Sequence, residues 1–155
     1  MELFFDKLQN IILNNNISKI EKIKNKYIEL LSNLTTTENL NNEDFLEIIN
    51  KIHKIGAIYV CYYYENDEIE IIASGTIIIE PKIIHSGKNV GHIEDIVVHS
   101  KHQGKGLSTK IVKYLKDYGL ENNCYKIILD CDKNIKKVYE KNDFYEKDIQ
   151  MVYYK

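Results

Sequence analysis

The sequence predicts an α/β fold, one mixed sheet with helices on its faces. Three observations carry this. Two helical periods open the chain, a β-rich run begins near residue 57, and strand and helix periods then alternate toward the C-terminus. With 155 residues and 18.2 kDa, the chain suits a single domain spanning 1–155 that can bury a substantial core. No repeat, linker or low-complexity tract interrupts it.

Each element has its own signal. Ile17, Ile20, Ile23, Tyr27, Leu30, Leu31 and Leu34 recur at helical spacing and stop at Thr35-Thr36-Thr37. A shorter helix starts near Asn42, with Phe45, Ile48, Ile49 and Ile52 turned inward. "AIYVCYYYENDEIEIIASGTIIIE" reads as a hairpin turning at Asn66-Asp67. Pro81 to Gly91 reads as a loop. The strand after it contains Ile93, Ile96, Val97 and Val98, interrupted by Glu94 and Asp95. A helix from Gly104 carries Ile111, Val112, Leu115 and Tyr118, with Gly119 near its end. "YKIILDC" is a buried strand, Lys133 to Lys141 a short helix, and "IQMVYY" a last strand.

Composition excludes several function classes. The net charge is −2 and all 21 basic residues are lysine, so nothing draws the whole chain to nucleic acid or an anionic membrane. No apolar run reaches a membrane span, and the acidic start lacks a signal-peptide pattern, so a cytoplasmic protein is expected. Cys61, Cys124 and Cys131 are scattered in apolar runs and read as buried free thiols. No CxxC pair suggests zinc, and His92, His99 and His102 lack a second ligand set, so no metal is expected.

The chemistry concentrates between Gly91 and Leu115. Adjacent strand residues point to opposite faces, so at least one of Glu94 and Asp95 should face inward. An inward carboxylate is costly unless paired, hydrogen-bonded or used. "QGKGLS" then opens a helix, whose unpaired N–H groups and positive dipole end suit a phosphate. Glycines there allow close approach and positive φ. Neither GxxxxGK[ST] nor an N-terminal GxGxxG is present.

"GHIEDIVV", "SKHQGKGLS", "CYKIILDCD" and "YEKNDF" stand in an order and at spacings that resemble the GCN5-related N-acetyltransferase superfamily. More narrowly they resemble its eukaryotic-type glucosamine-6-phosphate N-acetyltransferases. "KIIH" at Lys82–His85 and Thr35 after the first helix also match. The resemblance is strong from about Gly75 to Met151 and thin before Thr35. It implies a mostly antiparallel sheet with helices on both faces, and acetyl-CoA as co-substrate. It also implies an aminosugar phosphate as acceptor, in a pathway to UDP-N-acetylglucosamine, and a homodimer with its site near the subunit boundary. No nucleic acid or membrane partner is implied.

Residue roles follow from the same resemblance. Gln103, Gly104, Lys105, Gly106, Leu107, Ser108 and Thr109 would hold the coenzyme A pyrophosphate. Ile96, Val97 and Val98 would pair with the pantetheine arm, and Asp130 would lie near it. Glu94 and Asp95 would bind the aminosugar and help deprotonate it. Tyr139 would protonate or hydrogen-bond the departing thiolate. Thr35, Lys82, His85, Tyr125 and Lys126 would contact the sugar phosphate. Three positions depart from the family pattern: Ser108 replaces Gly or Ala, Asn142-Asp143 replaces Cys-Gly, and Tyr154 stands opposite an arginine. An acetyltransferase for another small or protein amine, and a non-catalytic acyl-CoA-binding module, are the competing readings.

Overall fold

The computed structural model describes residues 1–38 and 40–155. Five strands form one sheet in the order β1-β2-β3-β4-β5: Phe4–Lys7, Gly56–Glu65, Glu68–Pro81, Asn89–Val98 and Cys124–Ile128. Neighbours are antiparallel except β4 and β5, which run parallel. A parallel pair needs a crossover, and helix α4 (Leu107–Glu121) supplies it. Helices α1 (Leu8–Leu13), α2 (Ile17–Leu31) and α3 (Asn42–Ile55) precede β2, and α5 (Lys136–Glu140) follows β5.

Strand alternation divides the core into two layers. Ile58, Val60, Ile71 and Val97 face α1–α3 and pack with Leu8, Ile23, Tyr27, Leu30, Phe45 and Ile49. Ala57, Cys61, Ala73, Ile77 and Ile93 face the other way, against Ile111 and Leu115 of α4. Helices therefore cover both faces of a mixed, mostly antiparallel sheet, as the sequence predicts. Asn66 and Asp67 both have positive φ (50° and 63°), the backbone a two-residue hairpin turn requires. Asn16 and Asn41 cap α2 and α3 through their side chains, which sets where those helices begin.

Several expectations need correction. Helix α2 ends at Leu31; Ser32–Leu34 continue as turns, and Leu34 is exposed. In α3, Phe45 and Ile49 are buried, but Ile48 is exposed. β3 runs through Pro81 and β4 starts at Asn89, so the loop between them is shorter than the sequence suggests. α4 begins at Leu107 because Gly104 and Gly106 hold left-handed backbone. Cys131 is exposed, since β5 ends at Ile128 and the chain has left the sheet. β1 and α1 were not anticipated: β1 is four residues long and is held by pairing Phe4–Lys7 with Tyr59–Tyr62.

The expected last strand does not form. Residues 149–155 have no regular structure, and Met151 and Tyr153 are 83% and 91% exposed. A strand needs a partner edge, and no strand of this sheet takes it up.

Candidate active site

A β-bulge in β4 shapes the site. Thr76 pairs with Glu94 and Ser74 pairs with Val97, so Asp95 and Ile96 together oppose the single residue Gly75. Asp95 takes φ 53°, a conformation that aspartate tolerates better than most side chains. Gly75 is required opposite: an added Cβ would lie 2.4 Å from Ile96 Cδ1 and 2.8 Å from Ile111 Cγ2. The bulge alters the simple alternation read from sequence, and both Glu94 and Asp95 are exposed; neither points into the core. Behind it, Ser74 Oγ donates to the buried Tyr27 hydroxyl at 3.3 Å.

Beyond the bulge β4 leaves β5. Their pairing ends at His92 and Ile128, and the strands then diverge around a cavity of about 360 Å³. Ile93, Glu94, Asp95 and Ile96 form one wall, Leu129 and Asp130 the opposite one. Leu34 and Thr35 close it from the α2 side, Ile135 and Tyr139 from the α5 side. Enclosure, then Asp130 and Asp95, push the Glu94 carboxyl above its usual range, while His92 opposes the rise. Burial, then Cys131 and Asp130, push up the Tyr139 hydroxyl, so it stays protonated at neutral pH.

The neighbours of Tyr139 account for one family departure. Asn142 is buried, donates Nδ2 to the Val138 carbonyl at 2.8 Å, and accepts Lys116 Nζ on its own carbonyl at 2.7 Å. Asp143 takes φ 67°, and the Phe144 amide turns back to the Tyr139 carbonyl at 3.2 Å. The Asn-Asp pair thus closes α5 and brings Phe144 edge-on to Tyr139, with centroids 6.3 Å apart.

β4 leads straight into the glycine turn. Gln103 Nε2 donates to the Val98 carbonyl at 3.3 Å. Gly104 and Gly106 have φ of 74° and 75°, with no atom within 4 Å of where a Cβ would stand. No side chain caps α4 and no acid occupies its first turn, while buried Leu107 anchors it to the core. The open, uncapped turn fits a pyrophosphate through its main-chain N–H groups. Ser108 and Thr109 follow in the first turn of α4, and Lys105 is exposed between the two glycines. Val97 is buried toward the α2 layer, and Val98 is half-buried.

The structure does not gather all of the expected sugar-phosphate residues in the cleft. Of these, only Thr35 lines the cavity itself. The His85 ring stacks on Tyr125 at 4.0 Å, and Lys126 Nζ lies 5.7 Å from the Tyr125 ring centre. Lys82 Nζ is 2.5 Å from Glu80 Oε1, and His92 Nε2 is 2.9 Å from Glu80 Oε2. Sequence reading missed Glu80, and it weighed His92 only as a metal ligand. The apolar walls Leu34, Leu129 and Ile135 carried no signal that could single them out. Among the described residues no group of three or more His, Cys, Asp or Glu is arranged to hold a metal ion. No helix there is long and apolar enough to cross a membrane.

Comparison with known proteins places this architecture. Residues 25–144 match the acetyltransferase (GNAT) family. The chain is 38% identical over 134 residues to glucosamine 6-phosphate N-acetyltransferase of Candida albicans, covering 86% of this chain and 90% of that one. It is 40% identical over 129 residues to the Arabidopsis thaliana protein of the same name, covering 83% and 87%. The crystal structure of the Arabidopsis enzyme superposes with a TM-score of 0.84 at 34% identity, covering 99% of each chain. With the match running from within α2 through the cleft to Phe144, the chain belongs to the acetyltransferase (GNAT) family.

Proposed function

We propose that this protein transfers acetyl from acetyl-CoA to the amine of D-glucosamine 6-phosphate, giving N-acetyl-D-glucosamine 6-phosphate for UDP-N-acetylglucosamine synthesis. The observation that carries this reading is the cleft where β4 and β5 part. It gathers Glu94, Asp95, Asp130 and Tyr139 in one cavity, on the strand that leads into the uncapped turn of α4. The names of the relatives supply the acceptor.

Acetyl transfer needs a neutral amine, a polarised carbonyl and a stabilised thiolate. Gln103 to Thr109 hold the coenzyme A pyrophosphate, and Ile96–Val98 pair with its arm along the edge that β5 leaves open. Asp130 borders that arm. Glu94 and Asp95 bind the ammonium and accept its proton, and the raised pKa of Glu94 brings its proton affinity closer to that of an amine. Main-chain N–H groups of the bulged strand stabilise the oxyanion. The amine nitrogen forms its bond to the acetyl carbon, the carbon–sulfur bond breaks, and protonated Tyr139 gives its proton to the thiolate. Attack is direct: the Cys131 thiol is pushed up by partial burial and by Asp130 and Asp132, so little thiolate is present to carry an acyl group.

Thr35, Lys82, His85, Tyr125 and Lys126 hold the sugar phosphate. The protein works in the cytoplasm as a homodimer, in which the exposed apolar residues Met151, Val152, Tyr153 and Tyr154 are buried against the partner. The test is thiol release from acetyl-CoA with glucosamine 6-phosphate, glucosamine, an unrelated small amine and a lysine peptide. Glucosamine 6-phosphate should give the highest kcat/KM. Faster use of another amine overturns the acceptor, and acetyl-CoA binding without turnover overturns the enzyme.

A further inference from the structure

A chain without arginine must hold a phosphoryl group with lysine, histidine and main-chain dipoles. Lys82, at the start of the loop after β3, and His92, on β4, lie close enough together to share one anion. The structure already supplies that anion. Glu80 Oε1 accepts Lys82 Nζ at 2.5 Å, and its other oxygen accepts His92 Nε2 at 2.9 Å. One oxygen for each donor is the pattern a phosphoryl group would use.

We infer that Glu80 is a specificity-determining residue: its carboxylate occupies Lys82 and His92 from within the chain and limits how tightly a substrate phosphate is held there. The inference rests on the reading of Lys82 as a phosphate contact. Lys82 has three N–H donors and spends one on Glu80, so a phosphoryl oxygen can still reach it from the solvent side. It does so beside a carboxylate that cancels much of the lysine's field and repels a dianion. Lys82 and His92 hold the Glu80 carboxyl below its ordinary range, so it is charged at neutral pH.

The chemistry gives this restraint a purpose. The phosphate is the same in substrate and product, and whatever part of its binding is uniform through the reaction does not raise kcat. Held too tightly, it would keep the product on the enzyme and slow release. An internal counter-ion tempers that grip while leaving Lys82 and His92 positioned.

The experiment compares wild type with Glu80→Gln, which keeps the shape of the side chain and one acceptor oxygen but not its charge. Calorimetry with glucose 6-phosphate, a sugar phosphate with no amine to react, and with glucose measures the phosphate grip directly. Glu80→Gln should bind glucose 6-phosphate roughly three- to tenfold tighter, the effect of one near-surface charge on a dianion, with glucose unchanged. Adding Lys82→Ala should abolish the gain. Unchanged or weaker binding, a gain shared by glucose, or one that survives Lys82→Ala overturns the inference. Steady-state acetylation separates the two readings. If Glu80→Gln tightens glucose 6-phosphate but glucosamine 6-phosphate is not acetylated, the acceptor assignment fails and the role of Glu80 stands. If glucosamine 6-phosphate is acetylated and Glu80→Gln changes nothing, Glu80 alone was misread.

Discussion

Replacing Tyr139 with Phe deletes one hydroxyl at the cleft wall and leaves the ring in place. The ring is buried and meets Phe144 edge-on, and the variant keeps both features, so folding stability should change by less than about 1 kcal/mol. In the proposed mechanism the hydroxyl protonates the leaving sulfur. Removing one such donor lowers kcat by roughly 10- to 1,000-fold, or about 1.4–4 kcal/mol of barrier. Acetyl-CoA affinity should stay near normal, because the turn proposed for the pyrophosphate lies on another element. The assay is steady-state thiol release with calorimetry of acetyl-CoA binding and a melting curve. The pH profile adds a second readout. Burial, Cys131 and Asp130 raise the Tyr139 pKa, so its ionisation affects only the alkaline limb, and Tyr139→Phe should lose that limb. Turnover within about twofold of wild type, or affinity falling in step with kcat, would return Tyr139 to packing.

Three further outcomes are expected. Gly106→Val forces a β-branched residue to φ 75° at the mouth of the turn, where no atom lies within 4 Å of the new Cβ. It should weaken acetyl-CoA binding in a folded protein, and unchanged calorimetric affinity would refute the turn as the pyrophosphate site. Asp130→Asn removes a negative neighbour that raises Glu94, so the acid limb of kcat/KM for the aminosugar should move to lower pH. A shift to higher pH, or none, would mean that Glu94 is not the group titrating. Wild type should scatter light as twice the 18.2 kDa chain, and deleting 149–155 should yield monomer with depressed turnover. A monomeric wild type would refute the dimer.

What was legible in the sequence is what local chemistry dictates. Asn66-Asp67 announced its turn because those side chains accept the positive φ values the hairpin needs. The glycine turn before α4 was legible for the same reason. The bulge was not, because it depends on Gly75 of the neighbouring strand and on the space that Ile96 and Ile111 leave there. Simple alternation would turn one acid inward, whereas the bulge lets both line the cleft. Glu80 joined His92 only through strand pairing, across twelve residues of chain. β1 was too short for a period to register, and 149–154 has the composition of a strand without a neighbouring edge.

The seam between β4 and β5 has a consequence for the order in which the molecule comes apart. β2 and β3 pair along ten residues of β2 through a local turn, whereas the parallel seam spans only Asn89–His92 and forms after residues 99–123 have been looped back. The seam is therefore expected to be the weaker cooperative unit, and amide protons of Cys124–Ile128 should exchange with solvent before those of the hairpin centre. One wall of the cleft hangs from that unit. Gentle warming should thus open the cleft while most of the sheet is intact, with activity lost ahead of global melting.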